Sequence, residues 1–416
     1  MPLLFEPYSH AHKTDPYSAY RALRDTAPIH YAPESNAWVL SRFEDVSWAL
    51  RHPEWFSSQW KRPMGLAAGD RPSPFHWLRM AIQYFRFMRT SPLEARGARM
   101  LAHQDGATHA AMRALVRPSF RRDRIENLEK QVREIVDDCL EPMVGDHPID
   151  VIGRLADPLP VRILGELLGL GSSRREKFKQ LADTILAAGT GEASLDGGMI
   201  EAMAQFRHYL QPIIRERAAD PGDDLLSQLL QADDGGLELS EFEVYLFVQL
   251  LLMAGTETTT NLIGNAVDAL LAHPKQLAMV HAAPDRWLPA AIEESLRWDG
   301  PIQIVNRTTR CTLSRHGAEI PADAHVVLLV GAANRDERRF AAPDTFDIER
   351  DTRGHLAFGQ GHHFCVGAGL ARLEARVALE ALLPHLMRCE RACPEVEFLD
   401  SFLVRGRSRL ELRLAA

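Results

Sequence analysis

The chain has 416 residues, a net charge of −8, and a composition of 46% apolar and 25% charged residues. This composition excludes collagen-like and intrinsically disordered classes, and the acidic balance gives no reason to expect a nucleic-acid partner. The five cysteines are an odd number, which excludes a disulfide framework.

The N-terminal region lacks the basic flank and the long apolar run of a signal peptide. No run reaches the roughly 18–20 apolar residues of a membrane span. We therefore expect a cytoplasmic protein without a transmembrane segment. Alternation in Ala27–Arg42 predicts a β-hairpin, and Phe43–Pro53 predicts a short helix. These elements make residues 25–60 a β-rich N-terminal part.

The segment Pro74–Arg89 is aromatic, apolar and basic, with no acidic residue. Three interpretations stay open: an amphipathic helix packed on the body of the protein, a lid over a binding cavity, or a membrane-surface patch.

Residues 105–300 read as a helical core. The longest predicted helix runs from Ser240 to His273, and Ser240 and Glu243 form a capping-box pattern at its start. After Pro301 the pattern changes to short strands and irregular segments, with one helix over Val366–Leu386. We expect a single domain spanning residues 1–416, with a mixed part at 301–416.

Cys365 lies in a glycine-rich turn, with Gly359, Gly361 and Gly367 nearby, and directly precedes that last helix. A helix N-terminus favours the thiolate, which is a nucleophile or a metal ligand. The turn has no C-x-x-C partner of the kind that zinc sites use. A single thiolate serving one iron fits a haem with an axial cysteine.

The stretch Phe358–Gly367 resembles the haem-binding signature of the cytochrome P450 superfamily, F-x-x-G-x-x-x-C-x-G. The resemblance extends over nearly the whole chain. It implies a mainly α fold with small β-sheets, a single triangular domain and a buried haem b, with Cys365 as the iron ligand. It also implies a monomer.

The long predicted helix carries Ala254–Thr259, AGTETT, inside an apolar run. Gly255 costs roughly 1 kcal/mol against alanine there, and locally costly choices are expected at functional sites. The stretch resembles the family's oxygen-activation motif. The resemblance assigns Glu257 and Thr258 to proton delivery, and places Ala254 and Gly255 against the haem.

Further resemblances concern structure and haem anchoring. Glu294 and Arg297, with Arg350, resemble the family's E-x-x-R pair and its third member, which hold the cysteine loop. The resemblance also assigns a set of haem contacts, four of them to the propionates. The propionate contacts are His109, Arg113, Arg307 and His363, and the other contacts are Phe358, Gly359 and Gly367.

The resemblance implies monooxygenation: insertion of one oxygen atom from O2 into a lipophilic small molecule, by hydroxylation or epoxidation. A fatty acid, a terpenoid and a steroid stay open as substrates. The expected substrate contacts are Leu251, Ile302, Ile304, Leu403 and Val404.

The chain contains no flavin or iron–sulfur motif. Electrons are therefore expected from a separate ferredoxin or flavodoxin, and ultimately from NAD(P)H. The resemblance places Arg113, Arg117, Arg121–Arg124 and Arg372 near the proximal face, where we expect an acidic partner of this kind to dock. A peroxide-driven peroxygenase, a non-enzymatic haem sensor or carrier, and a zinc or thiol protein stay open as alternatives.

Overall fold

The structure is a computed structural model that describes residues 5–9, 12–59, 82, 98–140, 148–189, 197–231 and 238–414. The segment Pro74–Arg89 therefore lies outside the described residues, apart from residue 82. By its contacts the chain divides into two compact units. The first unit comprises Met1–Gly69, Leu128–Leu159 and Thr258–Ala416, and the second comprises Asp70–Asn127 and Pro160–Glu257. The single-domain expectation stays a prediction.

Helices dominate the described residues. The α-helices are α1 Tyr17–Thr26, α2 Phe43–Arg51, α3 Gly106–Val116, α4 Arg122–Asn127, α5 Glu129–Leu140, α6 Pro158–Leu167, α7 Ser172–Gly189, α8 Gly197–Ala219, α9 Leu225–Gln231, α10 Glu241–Ala272, α11 Pro274–Ala282, α12 Pro284–Trp298, α13 Val330–Ala333 and α14 Ala368–Leu386. The strands are β1 Ile29–Ala32, β2 Ala37–Leu40, β3 Phe56–Ser57, β4 Ile149–Asp150, β5 Ile304–Thr309, β6 Leu313–Arg315, β7 Ala318–Ile320, β8 His325–Leu329, β9 Cys389–Arg391 and β10 Glu411–Leu414.

The first unit is built around a five-stranded sheet with the order β1-β2-β8-β5-β3. The predicted hairpin is confirmed as β1 and β2, which pair antiparallel, and the predicted helix after it is confirmed as α2. β2 then pairs in parallel with β8, setting Ala37 opposite His325. The sheet therefore joins the N-terminal hairpin to the strands that follow residue 301.

Both faces of this sheet are covered by apolar side chains. Leu40, Val326 and Leu328 pack on one face with residues from α2, and Val39, Val327 and Leu329 pack on the other face with residues from α1. Strands buried on both faces read as continuous apolar runs, as HVVLL in β8 does.

The predicted long helix is confirmed as α10, which has 32 residues. The capping box at its start is also confirmed. The Glu243 backbone N–H donates to Ser240 Oγ at 3.2 Å, and the Ser240 backbone N–H donates to Glu243 Oε2 at 3.0 Å. The Arg99 side chain also donates to Glu243, which is 4% exposed. Arg99 and Glu243 both belong to the second unit, and their ion pair fixes the start of α10.

In the first unit, α14 packs against α5 and α12. Two arginines and two glutamates form a closed ring of ion pairs between α14 and α5. Arg133 pairs with Glu129 and Glu380, and Arg376 pairs with the same two acids. The ring joins α5 to the helix that begins three residues after Cys365.

Candidate active site

The first unit carries Cys365 in a tight loop in front of α14. The Cys365 backbone N–H donates to the Phe358 carbonyl at 2.8 Å, which closes the loop on itself. Gly359 and Gly361 have φ angles of 69° and 71°, the left-handed region that favours glycine. Cys365 is exposed and lies three residues before the start of the 19-residue helix α14.

The loop is held against α2. A Cβ on Gly361 would lie 2.8 Å from the Leu50 carbonyl oxygen, so this position needs glycine for space as well as for φ. Ser47 donates its hydroxyl to Gln360 Oε1 at 2.6 Å. Gln360 is an unspecified position of the haem-binding signature, and in the structure it ties the cysteine loop to α2.

Two of the four predicted propionate contacts lie in the first unit. His363 Nε2 is 3.0 Å from the hydroxyl of Ser58, a residue that is 1% exposed. The β3–β5 register pairs Ser57 with Thr308, the residues directly next in sequence to Ser58 and Arg307. Sequence reasoning missed Ser58, because nothing in a serine directly after a short strand signals this contact.

The other two predicted propionate contacts lie in the second unit. His109 and Arg113 are one turn apart on α3, and His109 is 2% exposed. The second unit also contains the α10 residues up to Glu257. Here Met253, Ala254 and Gly255 are exposed between buried Leu252 and buried Thr256. A Cβ on Gly255 would meet no atom within 4 Å. This exposed stretch fits contact with a flat apolar group.

The polar stretch of α10 contains buried groups that lack a partner among the described residues. Thr256 Oγ1 has none, and neither amide atom of Asn261 has one, although Asn261 is only 1% exposed. Buried polar atoms of this kind require water or a ligand. Glu257 and Thr258 follow Thr256 directly in the sequence, and both are half-buried. Sequence reasoning missed Asn261, which lies three residues after Thr258.

The structure brings the three residues of the predicted structural triad together. Glu294 and Arg297 are fully buried and form a bidentate pair, with both contacts at 2.7 Å. Arg350 Nε donates to Glu294 Oε1 at 3.3 Å. The same Glu294 oxygen accepts from the Asp347 backbone N–H at 2.8 Å. The triad therefore joins α12 to the segment preceding the cysteine loop.

Several arginines expected to face a partner already have acidic neighbours. Arg122 pairs with Glu126, and Arg124 pairs with Asp223. Arg121 pairs with Asp123. A positive face made by these residues is therefore weaker than their count suggests.

Four of the predicted substrate contacts lie in the first unit, on two segments that pair through their backbones. Ile302 and Val404 form an antiparallel bridge, and the Gln303 N–H donates to the Leu403 carbonyl at 2.9 Å. Ile304 is 5% exposed in the sheet core, and Leu403 packs against the same cluster.

Leu251, the remaining predicted contact, is half-buried on α10 in the second unit.

The residue types at the predicted positions, taken within each unit by itself, suit a haem with a thiolate ligand. A cysteine sulfur at a helix N-terminus suits iron, and histidine and arginine side chains suit propionate carboxylates. In the described part of the chain, the one group of three potential metal ligands is Glu44, Asp45 and His316, which does not include Cys365. The donor set at Cys365 therefore supports haem rather than zinc.

Comparisons with known proteins agree with this donor set. The family model described as Cytochrome P450 matches residues 193–387. Cytochrome P450 107B1 of Saccharopolyspora erythraea is 37% identical over 98% of this chain and 97% of the relative. The 6-deoxyerythronolide B hydroxylase of the same organism is 34% identical over 96% of each chain.

Solved structures show the same fold. Cytochrome P450 CYP109Q5 from Chondromyces apiculatus has a TM-score of 0.85 and 33% identity, covering 100% of this chain and 99% of that one. CYP109E1 from Bacillus megaterium, solved in complex with testosterone, has a TM-score of 0.82 and 30% identity, covering 97% and 100%. The predicted mainly α fold with small sheets is confirmed. With a haem-type thiolate loop and relatives matching end to end, this chain belongs to the cytochrome P450 family of monooxygenases.

Proposed function

We propose that this enzyme hydroxylates or epoxidises a bulky lipophilic small molecule, with O2 as oxidant. The observation that carries the substrate class is the apolar exposed stretch of α10, where Met253 is 39% exposed and follows the buried Leu252. Relatives named 6-deoxyerythronolide B hydroxylase and vitamin D(3) 25-hydroxylase, and the neighbour bound to testosterone, favour a polycyclic or macrocyclic substrate over a fatty acid.

Four side chains in this proposal hold the cofactor's carboxylates: His109 and Arg113 from α3, Arg307 from β5, and His363 from the cysteine loop. Arginine gives carboxylates strong, directional hydrogen bonds. Cys365 supplies the thiolate. When bound, the haem supplies the iron chemistry that activates dioxygen, and electron donation from the thiolate favours O–O cleavage.

Glu257 and Thr258 carry protons in this proposal. The Thr258 hydroxyl is both a donor and an acceptor, so it can pass a proton on while receiving another. The Glu257 carboxyl precedes it in the chain and can exchange protons with solvent. The amide of Asn261, which has no partner among the described residues, would hold an ordered water close in sequence to Thr258.

Electrons come from a separate ferredoxin or flavodoxin, and ultimately from NAD(P)H. We propose a monomer acting in the cytoplasm. Among the helices that the structure describes, every one is too short or too polar to cross a bilayer.

The test is a spin-state titration of the haem-loaded protein against polycyclic, macrocyclic and fatty-acid compounds. Saturable high-spin conversion by a polycyclic or macrocyclic compound, followed by oxygenated product on reconstitution, supports the proposal. High-spin conversion by fatty acids alone would contradict the proposed polycyclic or macrocyclic substrate class. A reduced, CO-bound Soret band away from the thiolate-haem position would remove the proposal entirely.

A second measurement separates the peroxide-driven alternative. Thr258→Ala should reduce product per NAD(P)H consumed, while product formation with peroxide changes little, because peroxide brings its own protons. Equal losses in both assays would contradict the proton-delivery role of Thr258.

A further inference from the structure

A charged side chain lies on the ring of the phenylalanine at the base of the cysteine loop. The Arg372 guanidinium carbon is 4.4 Å from the Phe358 ring centroid, which is cation–π distance. Phe358 is also the residue whose carbonyl accepts the Cys365 N–H. A unit positive charge is therefore fixed directly beside the loop that presents the thiolate.

Glu293 on α12 holds this guanidinium in place. Arg372 Nε and Nη2 donate to the two Glu293 oxygens at 2.5 and 2.8 Å, a bidentate geometry that fixes the plane of the fork. The side chains are 38% and 27% exposed, so water screens the pair only partly. Arg372 was expected to present a positive charge to an acidic partner. Its pairing with Glu293 neutralises part of that charge.

His355 fixes the carboxylate from the other side. The Ala357 N–H donates to His355 Nδ1 at 3.2 Å, so this nitrogen is the acceptor. Nε2 then carries the proton and donates to Glu293 Oε2 at 3.0 Å. Burial alone would raise the pKa of Glu293, but the hydrogen bonds from Arg372 and His355 outweigh it and lower the pKa to about 2. Glu293 is therefore ionised at neutral pH.

We propose that Glu293 and Arg372 act as an opposed charge pair that sets the reduction potential of the Cys365 site, with Glu293 positioning the Arg372 guanidinium on Phe358. This inference rests on the proposed function, in which Cys365 carries a haem iron. One-electron reduction makes the site more negative. The Arg372 charge stabilises the reduced state, and the Glu293 charge stabilises the oxidised state.

The experiment is a spectroelectrochemical titration of the haem-loaded protein with dye mediators at one pH, for Arg372→Gln, Glu293→Gln and the double variant. We expect Arg372→Gln to lower the equilibrium constant for reduction about tenfold, a shift of about −59 mV for one electron. Glu293→Gln should shift it in the opposite direction. The double variant should return to within about threefold of the wild type.

Two further variants separate charge from geometry. Arg372→Lys keeps the charge but loses the bidentate fork, so it should retain most of the wild-type potential. Arg376→Gln removes a charge from the same helix, one turn later, where the arginine pairs with Glu129 and Glu380. It should change the reduction constant by less than about twofold.

Single variants that shift the potential in the same direction would overturn the proposal, because lost packing or entering water acts without regard to the sign of the charge removed. Unchanged potentials in both would also overturn it. If Glu293→Gln fails to bind haem, the comparison of Arg372→Gln with Arg372→Lys decides: equal shifts overturn the proposal. A wild-type protein without a thiolate-haem Soret band would instead refute the proposed function.

Discussion

Glu294→Gln tests whether the buried triad holds the cysteine loop in place. The wild-type carboxylate accepts two hydrogen bonds from Arg297 and one from Arg350, all in a site closed to water. Glutamine keeps the volume but has one acceptor oxygen and no charge, so it leaves the fully buried guanidinium of Arg297 uncompensated. Breaking a buried pair from one side costs about 3–5 kcal/mol.

For a chain of 416 residues, that cost corresponds to a Tm lower by about 3–6 °C. The assay is thermal unfolding of the haem-loaded protein, followed by both the Soret band and far-UV circular dichroism. Because Glu294 joins α12 to the segment that precedes the cysteine loop, we expect the Soret band to be lost before the helical signal. The matched control is Glu134→Gln, whose carboxylate pairs with Lys130 in an exposed i,i+4 pair and contributes about 0.5 kcal/mol or less. Equal Tm values for the two variants would refute the reasoning.

Gly361→Ala should lower haem occupancy, because φ is +71° and the new Cβ would lie 2.8 Å from a carbonyl oxygen. Gly317→Ala, with φ +77° and no atom within 4 Å, isolates the backbone strain; equal occupancy in both would contradict the steric argument. Glu293, with its pKa lowered to about 2, stabilises the fold above about pH 4.5 and loses that contribution as the pH falls toward 2. Urea unfolding should therefore show the stability gap between wild type and Glu293→Gln closing on acidification. Burial raises the pKa of Glu374 to about 8. As the pH rises, the Glu374 carboxyl therefore ionises at a lower pH in the unfolded chain than in the folded protein, which favours unfolding. Glu374→Gln should gain stability over wild type between about pH 5 and 8, and Glu380→Gln on the same helix should show no such gain.

Sequence patterns predicted the contacts that form between residues within one helical turn of each other. The capping box of α10 needs only Ser240 and Glu243, three residues apart, and both act as the sequence predicts. The bidentate pair of Glu294 and Arg297 lies within one helical turn and is also readable from sequence.

The contacts that cross the chain could not be predicted in this way. Glu293 and Arg372 meet across 79 positions, and Ser58 and His363 meet across 305. A pair of this kind leaves no periodicity, and each partner alone resembles a surface charge or a turn residue. The haem signature located the cysteine loop, and the E-x-x-R resemblance assigned a pair of α12 residues to it, but neither indicated the contacts made by Glu293 of α12 or Ser47 of α2.

The parallel pairing of β2 with β8 has a consequence for synthesis on the ribosome. About 290 residues separate Ala37 from His325, and at roughly 5–20 residues per second the hairpin waits about 15–60 s for its partner strand. During that time Val39 and Leu40, fully buried in the finished sheet, are exposed to solvent on an unpaired edge. Nascent chains are then open to aggregation, so the yield of this enzyme should depend on translation speed and on chaperones that cover its first sixty residues.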